Sequence, residues 1–413
     1  MSNWVKTFMF IWTGQLFSTL TSSIVGYAII FWLALETASP EVLSYAAIAA
    51  FLPQIVLGLF TGVYIDRWNR KWVMIAADSF IAVCTFALCV LFYLDAVEIW
   101  HIYLLSGLRA IGSAFHGPAM QASIPLLAPE SQLMRVAGVN QMIRALSSIA
   151  GPALGALFIT LMDLTVVLMM DVVGALIACT TLLFVTIPKP EQKSKDERSV
   201  IREVKEGLSA IFSQKGLRWL LIFDIVVLLM IIPISILYPL ITTQYFGGAE
   251  FEMSAVEIVW GIGSLIGGAV IGGRFINRMN KVVLIVFANS FIGLTYFLSG
   301  MLPTSGFWYF VILTGISGIM GAIWNGAFVV IMQTQLDHSV LGRAFSTYDS
   351  LILLPSVIGL LAAGHIAGQI GYDNALLISG LIIFAMSFAL YLIPSVRELG
   401  YRTKNTGEIV EKQ

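Results

Sequence analysis

The sequence predicts an all-α integral membrane protein with twelve transmembrane helices in two six-helix halves, and three observations predict it. Of the 413 residues, 58% are hydrophobic and 11% are charged, against roughly 45–50% and about 25% in ordinary soluble domains. The apolar residues fall in blocks longer than the roughly 20 residues that cross a bilayer. The basic residues gather in every second connection between those blocks.

The first block, Thr7 to Leu35, contains no Asp, Glu, Lys, Arg or His, and neither does the second, Val42 to Ile65. Lys6 is the one basic residue ahead of the first block. The run is too long for a signal-peptide core and lacks an obvious small-residue cleavage site, so a retained first helix is expected. Further spans are predicted at 72–94, 99–127, 136–162 and 164–187. A second set follows at 217–247, 253–273, 282–302, 306–334, 344–369 and 374–394. Between the sets lies the longest non-membrane stretch, Pro188 to Gly216. In it Val200, Ile201, Val204, Leu208, Ile211 and Phe212 recur at helical spacing beside Arg202, Glu203, Lys205 and Glu206. That pattern predicts an amphipathic helix from about Ser199 lying along the cytoplasmic membrane face, either as a connector between two moving halves or as a gate or sensor. The expected organisation is an N-terminal bundle over 1–187, a linker over 188–216, a C-terminal bundle over 217–394 and a tail over 395–413.

The charges orient these spans. Of the 23 Lys and Arg residues, all but Arg109 and Arg144 fall on one side, including Arg67, Arg70, Lys71, Arg135, the cluster from Lys189 to Arg218, Lys281 and Arg343. The positive-inside rule makes that side, with both termini, cytoplasmic. The opposite loops carry only acids such as Glu36, Asp95, Asp163 and Glu250. Trp72, Trp100, Trp219 and Trp308 stand at span ends, where indole rings favour the headgroup region.

Composition also excludes several classes. A net charge of -1 without basic tracts argues against nucleic acid. Cys84, Cys89 and Cys179 lie within spans and read as packing residues rather than a disulfide framework or metal site. His101, His116, His338 and His365 are too scattered for a metal site; His116, beside Gly117 and Pro118, reads as a helix-break residue with substrate hydrogen bonding as the alternative. No nucleophile-base-orienter constellation marks an enzyme. No phosphate loop is present, so ATP bound to this chain is not the expected power source and an ion gradient is.

The halves share a local pattern. Gly62, Asp66, Arg67, Asn69 and Arg70 after the second span match Gly273, Asn277, Arg278, Asn280 and Lys281 after the eighth, at identical mutual spacing. A six-plus-six repeat is one way transporters build a central site that faces each side in turn.

The segment Gly62-Val-Tyr-Ile-Asp-Arg-Trp-Asn-Arg-Lys71 resembles the signature loop of the major facilitator superfamily. The resemblance implies the major facilitator fold, with a pseudo-twofold axis along the membrane normal, and a cytoplasmic gate. In that gate Gly62 permits close helix approach, Asp66 latches toward a helix start near Arg343, and Arg70 or Arg67 pairs with Glu130. Solvated loop charges are the plain alternative. Arg109 in the fourth span resembles the family's buried arginine of proton coupling, and Gly151-Pro152-Ala-Leu-Gly155 resembles the glycine-proline motif of its antiporters, expected here at a contact between the halves. Trp12-Thr-Gly-Gln15, Ala114-Phe-His-Gly-Pro118, Pro125 to Glu130 and Thr186-Ile-Pro188 resemble the bacterial macrolide-efflux group. This implies a multi-pass protein of the bacterial inner membrane that works as a monomer, without a cofactor, on the proton gradient. Its expected partners are protons, the lipid bilayer and a bulky amphipathic small molecule. Export of an endogenous metabolite, siderophore or lipid-like compound, or nutrient symport, is the second reading; a ligand sensor or channel is the third.

Asp78, Asp171, Asp224, Glu257 and Asp349 fall inside or just inside spans, where each needs a partner, a water-filled cavity or a proton. Arg144, Asp224 and Asp349 come out at similar depth, so a switchable pair of Arg144 with Asp224 or Asp349 is one expectation and a permanent ion cluster the other. With Arg109 and Asp171 they are the proton-coupling candidates, Asp171 standing between packing and relay. Asp78 is expected to support the loop at Asp66. Candidate pocket residues are Gln15, Tyr27, Phe31, Trp32, Asn140, Gln141, Glu257, Trp324 and Asn325, aromatic walls with a few polar groups. Gly263-x-x-x-Gly267 and Gly268-x-x-x-Gly272 are expected at close helix contacts.

Overall fold

The computed structural model describes residues 3–127, 129, 133–187, 200–271, 279–336 and 341–399, and among them every regular element is helical. In order these are α1 (Asn3–Thr37), α2 (Pro40–Arg67), α3 (Arg70–Tyr93), α4 (Ile99–Leu127), α5 (Leu133–Leu161), α6 (Leu164–Leu183), α7 (Val200–Phe212) and α8 (Lys215–Ile236). There follow a short turn, α9 (Tyr238–Leu240), a π-helical segment (Ile241–Tyr245), α10 (Glu250–Ile271), α11 (Lys281–Gly300), α12 (Phe307–Gln335), α13 (Leu341–Ile370), α14 (Tyr372–Leu392) and α15 (Pro394–Leu399). Among the described residues nine helices are long and apolar enough to cross a membrane. The other three expected spans fall on α4, α5 and α13, helices of 29, 29 and 30 residues. The chain is an all-α, multi-pass membrane protein.

The chain forms two compact units. One comprises Met1–Ala38, Tyr45–Glu197 and Ala249–Ser254; the other Ser39–Ser44, Arg198–Gly248 and Ala255–Gln413. In the first, α1 packs on α5 and α6, and α3 packs on α4 and α6. Glycines set the α1–α5 distance: a Cβ on Gly155 would lie 3.2 Å from the Ile24 carbonyl, and one on Gly151 would strike the Ser23 side chain. The Gly151-Pro152 segment therefore seats α5 on α1, and the Pro152 carbonyl also accepts from Ser254 Oγ at the start of α10 at 3.3 Å, a contact with a helix of the C-terminal half as the sequence suggested. Small residues of α1 fill the bare glycine face.

In the second unit α11 packs on α12 and α14, while α8 packs on α13 and α14. Helix α10 meets α12 through Gly263 and Gly267, where an added Cβ would fall on the Gly315 and Ile319 carbonyls. Gly268 departs from expectation, with nothing within 4 Å of such an atom. The helix period explains this, because one step from Gly267 turns the residue about 100° off the contact face. The expected amphipathic helix is α7, which packs on α13 and α8 with Ile211 buried. The seventh span also differs from the continuous run expected over 217–247. Pro233 near the end of α8 and Pro239 in α9 remove backbone donors, and the chain continues through a π-helical turn.

The repeated motif has a structural counterpart. Asn69 caps α3 by accepting from the Lys71 amide at 3.1 Å, and Asn280 caps α11 by accepting from the Val282 amide at 2.9 Å. Matching residues thus start matching helices in the two units.

Candidate functional site

Helix α1 presents Trp12, Gln15, Ser18 and Ser22 at three- and four-residue spacing, one face of a helix. All four face the interior of the first unit, and each position meets a different polar environment. Trp12, stacked on Phe8 at 4.2 Å, donates its indole N–H to Asn140 Oδ1 at 2.5 Å. Gln15 is fully buried, and among the described residues neither polar atom of its amide has a hydrogen-bond partner. Ser18 donates to Asp78 Oδ1 at 3.4 Å. Ser22 donates to Asp171 Oδ1 at 2.5 Å.

Asp171 on α6 is the centre of the most complete network. It is fully buried, and Oδ2 accepts from Thr85 Oγ1 of α3 at 2.8 Å and from Arg109 Nη2 of α4 at 2.9 Å. One carboxylate therefore joins α1, α3, α4 and α6. The buried Arg109 charge receives the partner that the bilayer interior requires, and Asp171 belongs to a salt bridge instead of standing alone.

A second tier lies seven residues away along both α3 and α4, about 10.5 Å of helix rise. There Asp78, 2% exposed, faces His116 Nε2 across 3.3 Å. Helix α4 runs uninterrupted through His116, Gly117 and Pro118, so His116 marks no helix break. The described partners of Asp78 sit on α1 and α4, and its place in the helix period turns it inward with Met74, Ala77 and Ile81.

In the second unit Asp224 on α8 is fully buried. Trp324 Nε1 of α12 donates to Oδ1 at 3.2 Å, and the Tyr348 hydroxyl of α13 donates to Oδ2 at 3.1 Å. Tyr348 is itself stacked on Phe328 with centroids 4.3 Å apart. Both described partners are neutral donors, unlike the arginine at Asp171. Glu257 lies where its charge is felt by Tyr238 and Tyr296, whose hydroxyls hydrogen-bond to one another.

Of the remaining pocket candidates, Tyr27 is half-buried against Phe31 at 5.8 Å and Phe31 is fully buried. Trp32 meets Phe92 of α3 edge-on at 5.0 Å, and Asn325 is exposed. At the gate, Arg70 Nη1 donates to the Ala122 carbonyl of α4 at 2.6 Å. Beside it Lys71 Nζ donates to the Leu183 and Val185 carbonyls at 3.0 and 2.7 Å, satisfying the end of α6. Gly62 lies within α2, whereas Glu130 and the side chains of Asp66, Arg67, Gln141, Arg144, Arg343 and Asp349 lie outside the described residues, and with them the pairings expected of Glu130 and Arg144.

Sequence reasoning missed Ser18, Ser22, Thr85 and Tyr348, hydroxyls inside apolar runs. The signal for Thr85 was its seven-residue spacing from Asp78, which puts both on one face of α3.

A family profile described as Major Facilitator Superfamily matches residues 11–334 and 229–410. The chain is 36% identical over 399 residues to Macrolide efflux protein A of Streptococcus pyogenes, covering 96% of this chain and 98% of that one. It is 26% identical over 390 residues to the Multidrug efflux pump Tap of Mycolicibacterium fortuitum, covering 90% and 92%. Among solved structures, a variant of the nucleoside transporter NupG superposes with a TM-score of 0.70 at 13% identity, over 92% of this chain and 99% of that one. A POT family transporter in complex with a thioalcohol conjugated peptide superposes with a TM-score of 0.73 at 12% identity, over 93% and 95%.

Proposed function

The chain belongs to the major facilitator superfamily and is a membrane transporter, not an enzyme, and from that premise we propose that it exports a bulky amphipathic drug in exchange for protons. The observation that carries the proposal is the likeness to Macrolide efflux protein A, which covers 96% of this chain and so spans both halves. In this reading the protein has twelve spans, resides in the bacterial inner membrane with both termini cytoplasmic, works as a monomer and moves its substrate by alternating access. Its substrate is macrolide-like, and its energy comes from the proton gradient. One proton crossing about 100 mV supplies about 2.3 kcal/mol, enough for roughly a 50-fold substrate gradient.

Asp224 is the acid best suited to carry the proton. A transported proton has to bind and leave during the cycle. A carboxylate locked to an arginine, as Asp171 is, resists protonation because the arginine charge would be left unpaired. Among the described residues Asp224 is held by an indole and a phenol, so gaining a proton strands no charge on either of them. In proteoliposomes with an imposed pH gradient, the wild-type protein is expected to drive a 14-membered macrolide uphill. Asp224→Asn is expected to abolish uphill movement while still equilibrating substrate down its own gradient. Uphill transport at the wild-type rate by Asp224→Asn would remove this residue from the coupling mechanism. Refusal of macrolides and cationic dyes alike by the folded protein would replace the drug with another substrate.

A further inference from the structure

The structure points to a second proton-binding site in the first unit, which we propose is formed by Asp78 and His116 with Gln15 beside them. The two side chains face each other across 3.3 Å and are 3% and 14% exposed. Among the described residues the carboxylate is half satisfied: Ser18 makes one long contact to Oδ1, and Oδ2 has no partner. One turn along α1 from Ser18, the buried Gln15 amide offers two donors and an acceptor that no described group takes up. Buried polar atoms of this kind are ordinarily satisfied, and groups that can hold water or a hydrated proton are gathered here within one layer of the bundle.

Imidazole is the side chain whose charge ordinarily changes between about pH 5 and 8. With the proton bound, the pair is an imidazolium facing a carboxylate across 3.3 Å, and its net charge is zero. When the proton leaves for water, a neutral imidazole remains beside the carboxylate and the site carries one negative charge. Among the described residues the neighbouring groups are these. Arg109, two turns away on α4, is engaged by Asp171 of α6. The Cys179 thiol of α6 contacts Ser79, and α1 contributes only Gln15, Ser18 and Ser22.

The internal repeat separates this role from simple packing. Ala77-Asp-Ser-Phe-Ile81 of α3 recurs as Ala288-Asn-Ser-Phe-Ile292 of α11, each the same distance beyond its capping asparagine. Asn289 is fully buried, so the helix accepts an uncharged amide at this place. The ionisable version occurs in the first unit alone, and there it faces a histidine.

The test is NMR titration of protein labelled in its four histidines, held in lipid nanodiscs without substrate, with His116→Gln used to assign the signal. The His116 ring is expected to change protonation between about pH 5 and 9. In Asp78→Asn the midpoint is expected to move by a factor of about ten or more in proton concentration, with thermal unfolding unchanged. A ring that keeps one protonation state throughout, or titrates identically in Asp78→Asn, overturns the proposal and makes the pair a fixed contact. The use of the site in transport rests on the proton-coupled reading. Its existence does not, because neither substrate nor transport enters the measurement.

Discussion

Arg109 and Asp171 show how much of a buried charge's cost depends on its partner. Removing only the arginine leaves a fully buried carboxylate with two hydroxyl donors, and losing one member of such a pair typically costs about 3–5 kcal/mol. Arg109→Ala is therefore expected to lower the unfolding temperature in detergent sharply, whereas Arg109→Met combined with Asp171→Leu recovers most of the loss. If the double substitution is no more stable than the single one, the pair does more than neutralise itself. Each residue was legible in the sequence, since a charge within an apolar span stands out, but their pairing was not. Sixty-two positions separate them, and no local period relates residues on α4 and α6. Gln15 shows the opposite limit: its type suggested a pocket, while its lack of described partners depends on what α3, α4 and α5 bring near it. For Asp78 nearness along the chain suggested the motif loop, while its described partners on α1 and α4 follow from the helix period, which turns it inward.

For whole helices, hydropathy placed the long spans well because bilayer thickness dictates their length. It missed the interruption after Ile236, because Pro233 and Pro239 act through lost backbone donors rather than apolarity. The glycines of α10 also looked alike in sequence, yet Gly263 and Gly267 touch α12 while Gly268 faces open space. Gly263→Ala forces a methyl group onto the Gly315 carbonyl and is expected to cost about 1–3 kcal/mol, as overpacking does. Gly268→Ala, in open space on the same helix, is expected to be neutral. Equal melting temperatures for the two variants would show that α10 and α12 are not in contact in the membrane. At the end of the chain, α15 is fixed to the second unit by small details. Gln214 Nε2 donates to the Gln335 carbonyl, Gln335 Nε2 donates to the Leu399 carbonyl, and Gly216 lets Ser395 and Leu399 lie against the start of α8.

For the molecule as a whole, the charge asymmetry makes a statement about sidedness that intact cells can check. In a protein freed of its own cysteines, Asp95→Cys in the exposed α3–α4 connection is expected to react with an impermeant maleimide added outside. Ser213→Cys, exposed between α7 and α8, is expected to react only after the cells are opened. The reverse pattern would invert the topology and turn the proposed exporter around. The polar face of α1 carries a consequence for synthesis. Ser22 and the acid that accepts its hydrogen bond are separated by 149 residues, and Trp12 and its acceptor by 128. At about 5–20 residues per second, α1 leaves the ribosome roughly 7–30 s before α6 can cover it. For that interval Gln15, Ser18 and Ser22 face either lipid or the insertion machinery, so the first helix has to be sheltered until the sixth arrives. Chains halted before α6 are the ones that cellular quality control is expected to recognise and clear.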